Sequence, residues 1–277
     1  MSSLDDLVES LTASKKYASV CTDTVCRIGV RELVAHSGNV KAASKATKKR
    51  LHQIYGAFEG KADYGLACDW LRLAFQSGSA DEIEAVCRRI LNWHNSTRER
   101  LPFLHCFYSS IFERTGRPQS ILDLGCGLHP VALPWMGVGK DCRYIALDID
   151  HARIRFLNDF LTLAGLAPLA RCQDIITSPP DDVTDLAFLL KTSPPLERQE
   201  PGTTLRLLDR SGVHVAGVSY STKSLGGREK GMRAHYDRQF TDWLSERPWS
   251  LSELQFENEL VYVVDKAGEY LAERNGT

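Results

Sequence analysis

Ile121-Leu122-Asp123-Leu124-Gly125-Cys126-Gly127 is a run of β-type residues that stops at Asp-x-Gly-x-Gly, and its reading decides the fold. Glycines at such a turn let the backbone approach a ligand closely, because a side chain there would fill the ligand's space. The next β-type run, Arg143 to Asp148, ends in an acid 21 residues after Gly127. A carboxylate at that strand end can accept hydrogen bonds from both hydroxyls of a ribose. A third run, Leu169 to Cys172, leads into Gln173-Asp174-Ile175, where an acid can accept from an adenine amino group and a backbone amide can donate to its ring. A dinucleotide site would place a third glycine where Pro130 stands, to lay a pyrophosphate on a helix N-terminus. The succession Asp123, Asp148, Asp174, with Gly125, Gly127 and Ile175, favours S-adenosylmethionine as the ligand.

Outward from this turn the chain changes texture at one place. From Gln119 onward, short β-type runs alternate with helical stretches, the signature of a parallel sheet covered by helices. Further runs span Thr184 to Lys191 and Val213 to Ser219, and Ser250–Glu257 with Glu259–Val264 forms an expected terminal hairpin. Before residue 117 the periodicity is helical throughout, broken at Ser37-Gly38-Asn39, Glu59-Gly60-Lys61 and Ser77-Gly78-Ser79. Ser79 and Glu82 make a capping box ahead of a periodic apolar run. The expectation is therefore α/β: a Rossmann-like class I methyltransferase sheet over residues 117–277, with an additional all-helical domain over residues 1–116.

Composition bounds the rest. With 34 basic and 35 acidic residues among 277, overall charge neither supports nor excludes nucleic acid, so any basic surface must be local. The amino terminus carries acids instead of a basic-then-apolar leader, and no apolar run approaches the ~20 residues of a membrane span. A cytoplasmic protein without a membrane partner is expected. Eight cysteines contain no Cys-x-x-Cys pair, and no histidines stand at zinc-finger spacing; they read as reduced thiols, with no metal site.

The local basic surface is present. Between Val40 and Phe58 an apolar face (Val40, Ala43, Thr47, Leu51, Ile54, Phe58) opposes Lys41, Lys45, Lys48, Lys49 and His52. Together with Arg50 these are candidate phosphate contacts. A second basic stretch, Lys223 to Arg233, follows the fifth strand on the sheet edge where ligands bind; Lys223, Arg228, Lys230 and Arg233 suit a lid over a target base.

The segment after the fourth strand, Leu190-Lys191-Thr192-Ser193-Pro194-Pro195-Leu196-Glu197, lacks the leading Asn or Asp and the aromatic of enzymes that methylate exocyclic amines. Pyrimidine carbon-5 chemistry needs a cysteine nucleophile, and no cysteine follows Cys172. A ring nitrogen such as guanine N7 asks for less, since its lone pair lies in the ring plane and no proton must leave first. Alignment of nucleophile, methyl carbon and sulfur then suffices.

Several stretches together resemble the aminoglycoside-resistance 16S rRNA (guanine-N7) methyltransferases of the Arm/Rmt type. They include Thr47 to Phe58, Ser96 to Pro102, Asp123 to Pro130, Ala132 to Gly137, Leu189 to Thr192, Thr222 to Gly226, Lys230 to Met232 and Asn258 to Val263. The resemblance implies methyl transfer from S-adenosylmethionine to N7 of guanine 1405 in the decoding region of 16S rRNA, within an assembled 30S subunit. It implies that Arg100 holds the cofactor carboxylate, Gly125 and Gly127 line the methionine side, Asp148 takes the ribose, and Asp174 with Ile175 takes the adenine. Lys191, Glu197, Lys223, Arg228 and Lys230 become target-side candidates. His129 and Ser219-Tyr220-Ser221 depart from the commoner Asn and Phe-Pro. The competing readings are an adenine-N1 methyltransferase of the same decoding site and a catalytically silent 30S-binding protein with this fold.

Overall fold

The computed structural model describes residues 3–56, 62–222 and 232–266. Three short helices come first: α1 (Ser3–Thr12), α2 (Thr22–Ala35) and α3 (Val40–Leu51). The Asn39 carboxamide starts α3 by accepting from Ala42 N–H at 3.1 Å. The helix expected from Val40 to Phe58 changes at His52 into a π-helical turn, His52–Gly56; residues 57–61 lie outside the described residues. Four more helices follow: α4 (Tyr64–Ser77), α5 (Ala80–Leu91), the single turn α6 (Asn95–Arg98) and α7 (Leu104–Thr115). Ser79 caps α5 as its spacing predicts, its hydroxyl accepting from Glu82 N–H at 3.3 Å.

The alternating half forms one seven-stranded sheet. Its elements are β1 (Ser120–Leu124), α8 (Leu133–Met136), β2 (Arg143–Asp148), α9 (His151–Leu163), β3 (Leu169–Cys172) and β4 (Val183–Leu190). They continue with α10 (Ser193–Gln199), α11 (Thr203–Arg210), β5 (Gly212–Ser221), α12 (Met232–Leu244), β6 (Ser250–Gln255) and β7 (Glu259–Asp265). The strand order is β3-β2-β1-β4-β5-β7-β6; β1 to β5 run parallel, while β7 is antiparallel to both neighbours. The chain leaves β1 for β2 on one side and later fills β4 on the other, so the carboxyl ends of β1 and β4 flank the crevice where such sheets bind ligands.

Residues alternate between two buried layers. Ile121, Tyr144, Ala146, Leu186 and Phe188 pack under α4, α5, α7 and α9, whereas Leu122, Leu124, Ile145, Leu147 and Leu189 pack under α10, α11 and α12. The change from helix to sheet near residue 117 is therefore not a change of core: Leu71, Ile90, Phe107 and Ile111 belong to the same apolar cluster as β1, β2 and β4. Among the described residues, α1 to α3, with Tyr17, Val20 and Tyr55, enclose a small core of their own. That unit is stitched to the end of β2 by backbone bonds, Cys21 N–H to Ile149 O and His151 N–H to Ser19 O, both 2.7 Å.

Candidate active site

Gly125 and Gly127 both take left-handed φ values, +66° and +54°. A Cβ on Gly125 would lie 2.5 Å from Thr192 Cγ2, and one on Gly127 would lie 3.1 Å from the His94 ring. The turn is pinned to the neighbouring strand by Cys126 N–H to Leu147 O, 2.9 Å. Facing it, at the end of β2, Asp148 is 7% exposed and accepts from Gly127 N–H (2.9 Å), Asp150 N–H (3.1 Å) and Arg153 Nη1 (2.8 Å). Burial pushes its carboxyl up to about 7 against the pull of the backbone donors.

Above these residues opens a cavity of about 620 Å³. Gly125, Gly127, Asp148, Asp174, Ile175, Lys191 and Thr192 line it from the sheet side, as their positions at strand ends predict. The other wall is helical: Thr24 and Arg27 of α2, Tyr55 of the π-helical turn, and His94, Asn95 and Ser96 around α6. Asp174 ties the two walls together. Its Oδ2 accepts from Thr24 Oγ1 (2.8 Å) and Arg27 Nε (2.9 Å), and its Oδ1 from Ile176 and Thr177 N–H (2.9 and 3.2 Å). Four donors already meet this carboxylate, so the side chain expected at the adenine lines the cavity and also anchors α2.

Three other expectations are corrected. Asp123 does not reach the cavity: it shares the Ile121 face of β1, where it accepts from His129 Nδ1 (2.7 Å) and Tyr144 Oη (2.9 Å). The histidine that replaces a commoner asparagine is thus this acid's buried partner. Arg100 is 1% exposed and absent from the cavity wall; Nη2 and Nε bind Glu259 at 2.6 and 3.2 Å, and the guanidinium lies 4.5 Å over the Phe107 ring. A guanidinium buried this deeply requires a carboxylate, and the protein supplies one 159 residues away. Glu197 likewise leaves the target side, accepting from Gly202 and Thr204 N–H at 2.6 and 2.7 Å to cap α11.

Lys191 does face the cavity, at φ +60°, with its Nζ 2.6 Å from Glu99 and 3.5 Å from Glu259. Glu259, fully buried, also accepts from Ser219 Oγ at 2.5 Å and is held low by Arg100 and Lys191 against its burial. Ser219 additionally receives Lys191 N–H (3.0 Å), and Tyr220 Oη meets Ser193 Oγ (3.0 Å), so the Ser219-Tyr220-Ser221 departure is built into the strand ends.

A family profile described as "Ribosomal RNA methyltransferase (FmrO)" matches residues 13–263. The chain belongs to this ribosomal RNA methyltransferase family. A Micromonospora echinospora protein named 16S rRNA (guanine(1405)-N(7))-methyltransferase is 38% identical, covering 95% of this chain and 97% of the relative. A Serratia marcescens protein of the same name is 33% identical over 96% and 99%. Among solved structures, the 16S rRNA methyltransferase RmtF in complex with S-adenosyl-L-homocysteine superposes with a TM-score of 0.80 at 30% identity, covering 95% and 98%.

On this methyltransferase the basic face of α3 is open. Lys41, Lys45, Lys48, Lys49, Arg50 and His52 are all exposed, while Ala43, Thr47 and Leu51 are buried on the opposite side; Arg50 lies 3.4 Å from Glu32. Lys223, Arg228 and Lys230 lie outside the described residues, and Arg233 falls in the first turn of α12. Reading the sequence missed Thr24, Arg27, Tyr55, His94 and Arg153 as cavity residues. Tyr55 lies within a stretch already singled out, but nothing in the spacing of the other four marks them. His94 is buried and pushed down to about 4, chiefly by desolvation, and is neutral near pH 7.

Proposed function

We propose that this methyltransferase transfers a methyl group from S-adenosylmethionine to N7 of guanine 1405 of 16S rRNA in the assembled 30S subunit, conferring aminoglycoside resistance. The observation that carries the proposal is the cavity itself: two left-handed glycines that exclude side chains face a buried strand-end acid, beside Lys191. When bound, the cofactor supplies an electrophilic methyl on a sulfonium. Gly125 and Gly127 leave room for its amino-acid portion, Asp148 accepts from its ribose hydroxyls, and Ile175 packs at the adenine end. Lys191, its ammonium fixed by Glu99 and Glu259, is the positively charged donor on the target side. The guanine N7 lone pair lies in the ring plane, so these residues have to align and hold, with no proton to remove before attack.

Base N7 is hidden in the deep groove of an A-form helix, so the target must be distorted or extruded to reach the cavity. The exposed basic face of α3 supports docking on phosphates, and the proposed division of labour gives residues 1–116 the docking role together with one wall of the cofactor cavity, and the sheet of residues 117–277 the other wall and the chemistry. The substrate places the enzyme in the cytoplasm. N7-methylguanine carries a fixed positive charge, which disfavours a cationic drug that uses N7 as acceptor.

The test is to incubate the protein with radiolabelled S-adenosylmethionine and unmethylated 30S subunits, then map the label by reduction and aniline cleavage. Label with cleavage at guanine 1405 is expected. Label without cleavage moves the assignment to adenine N1 or another atom, and no label leaves a silent 30S-binding protein.

A further inference from the structure

Two acids, Asp148 and Asp150, stand two residues apart beside the cavity, both almost fully buried, with one cation between them. That cation is Arg153, 3% exposed, whose Nη1 donates to Asp148 Oδ1 at 2.8 Å while its Nη2 lies 3.9 Å from Asp150 Oδ2. Its Nε donates to Tyr64 Oη at 3.3 Å. Asp150 has other work: Oδ1 caps α9 through Ala152 and Arg153 N–H (2.7 and 3.1 Å), and Oδ2 accepts the Tyr55 hydroxyl at 2.6 Å. The tyrosine comes from the π-helical turn that directly continues α3, the helix with the basic face.

We propose that Arg153 is a positioning residue for cofactor binding: it keeps Asp148 ionised and aimed at the ribose, and Tyr55 leaves it free to do so by engaging Asp150. The proposal rests on Asp148 being the ribose acceptor. A carboxylate accepts from sugar hydroxyls best when ionised, and burial works against ionisation here. The groups facing Asp148 are Arg153 and Asp150 from the α9 side, Tyr64 from α4, Cys126 from the β1 turn and Cys172 from β3. Arg153 alone among these is cationic. Burial and nearby acids push the Tyr64 and Cys126 protons up, and the hydrogen bond with Cys21, then burial, does the same for Cys172, so these three stay neutral. Without the Tyr55 hydroxyl, Asp150 Oδ2 loses the donor at 2.6 Å and competes for Arg153, whose Nη2 lies 3.9 Å away.

Asp148 binds ribose in its charged form, so affinity falls as pH drops through its pKa, and a higher pKa moves that fall upward. Titration calorimetry with S-adenosylhomocysteine from about pH 6 to about pH 9 reads the effect. Arg153→Met should weaken binding about tenfold at the acid end for each unit by which Asp148 rises, the deficit fading toward the alkaline end, and Arg153→Lys should restore much of it. Tyr55→Phe should show a smaller effect of the same sign, and serves alone if Arg153→Met does not fold. A loss equal at both ends of the range, or no loss, overturns the proposal by reducing Arg153 to packing. Asp148→Asn is the control for the underlying assignment: normal binding by that variant removes Asp148 from the ribose whatever Arg153 does.

Discussion

Gly125 shows how a single residue couples backbone conformation to the site. Its φ of +66° lies where an L side chain costs roughly 1–2 kcal/mol, and the added Cβ would meet Thr192 Cγ2 at 2.5 Å. Thr192 is branched at Cβ and cannot swing aside as a lysine could. Gly125→Ala is therefore expected to lower stability in urea titration by more than that amount, the clash adding to the φ cost, and to abolish measurable S-adenosylhomocysteine binding; an alanine variant that binds normally would show that the turn does not line the cofactor. The residues of this turn are readable because a glycine pair and a strand-end acid carry their own geometry. Asp123 misleads at the same place for an equally local reason. Side chains alternate along β1, and Asp123, two residues from Ile121, follows it away from the cavity. Arg100 misleads because its carboxylate partner sits on the far end of the chain, where spacing carries no signal.

At the scale of elements, α11 and α3 separate two meanings of a charged side chain. Glu197 bonds the first free amides of α11, so Glu197→Ala should cost about 1 kcal/mol of stability, as the removal of a helix cap does. Its rate constant for methyl transfer should change little once folded protein is counted; a large fall in kcat with unchanged stability would return Glu197 to the target side. The lysines of α3 work the other way, being exposed on a helix whose opposite face is already packed. Lys48→Glu with Lys49→Glu should leave S-adenosylhomocysteine affinity unchanged and weaken 30S binding. The slope of log affinity against log salt should shrink by on the order of one for each phosphate that the variant no longer neutralises. Equal 30S binding by this variant at low and high salt to that of the wild type would take the docking role from α3. The strands and the α5 cap are legible because period and capping are local properties. The π-helical turn is not, since its apolar spacing continues that of α3 and what changes is the backbone hydrogen bonding.

For the whole molecule, the place where the chain can be divided differs from the place where its texture changes. Helical periodicity announces a buried face without saying what buries it, and α4, α5 and α7 turn out to roof the sheet, sharing one core with β1, β2 and β4. A chain beginning at residue 117 would expose the sheet face now covered by Leu71, Ile90, Phe107 and Ile111, all fully buried in the intact protein. Each large apolar side chain of that face, Ile121, Leu186, Phe188 and Val215 among them, forfeits about 1.5–3 kcal/mol when left in water, a loss comparable in sum with the 5–15 kcal/mol that holds an ordinary domain together. A chain beginning at residue 62 keeps both sheet cores and loses only the small core of α1 to α3, but with it the Thr24, Arg27 and Tyr55 wall of the cavity. The longer fragment should melt cooperatively by circular dichroism yet fail to bind S-adenosylhomocysteine in calorimetry, and the shorter one should show no cooperative melt. A residue-117 fragment that folds and binds would mean that the helices merely sit on a self-sufficient catalytic sheet. The expected pair of results would instead mean that the unit carrying the basic face also completes the cofactor cavity, so that docking and cofactor binding are built on the same three helices.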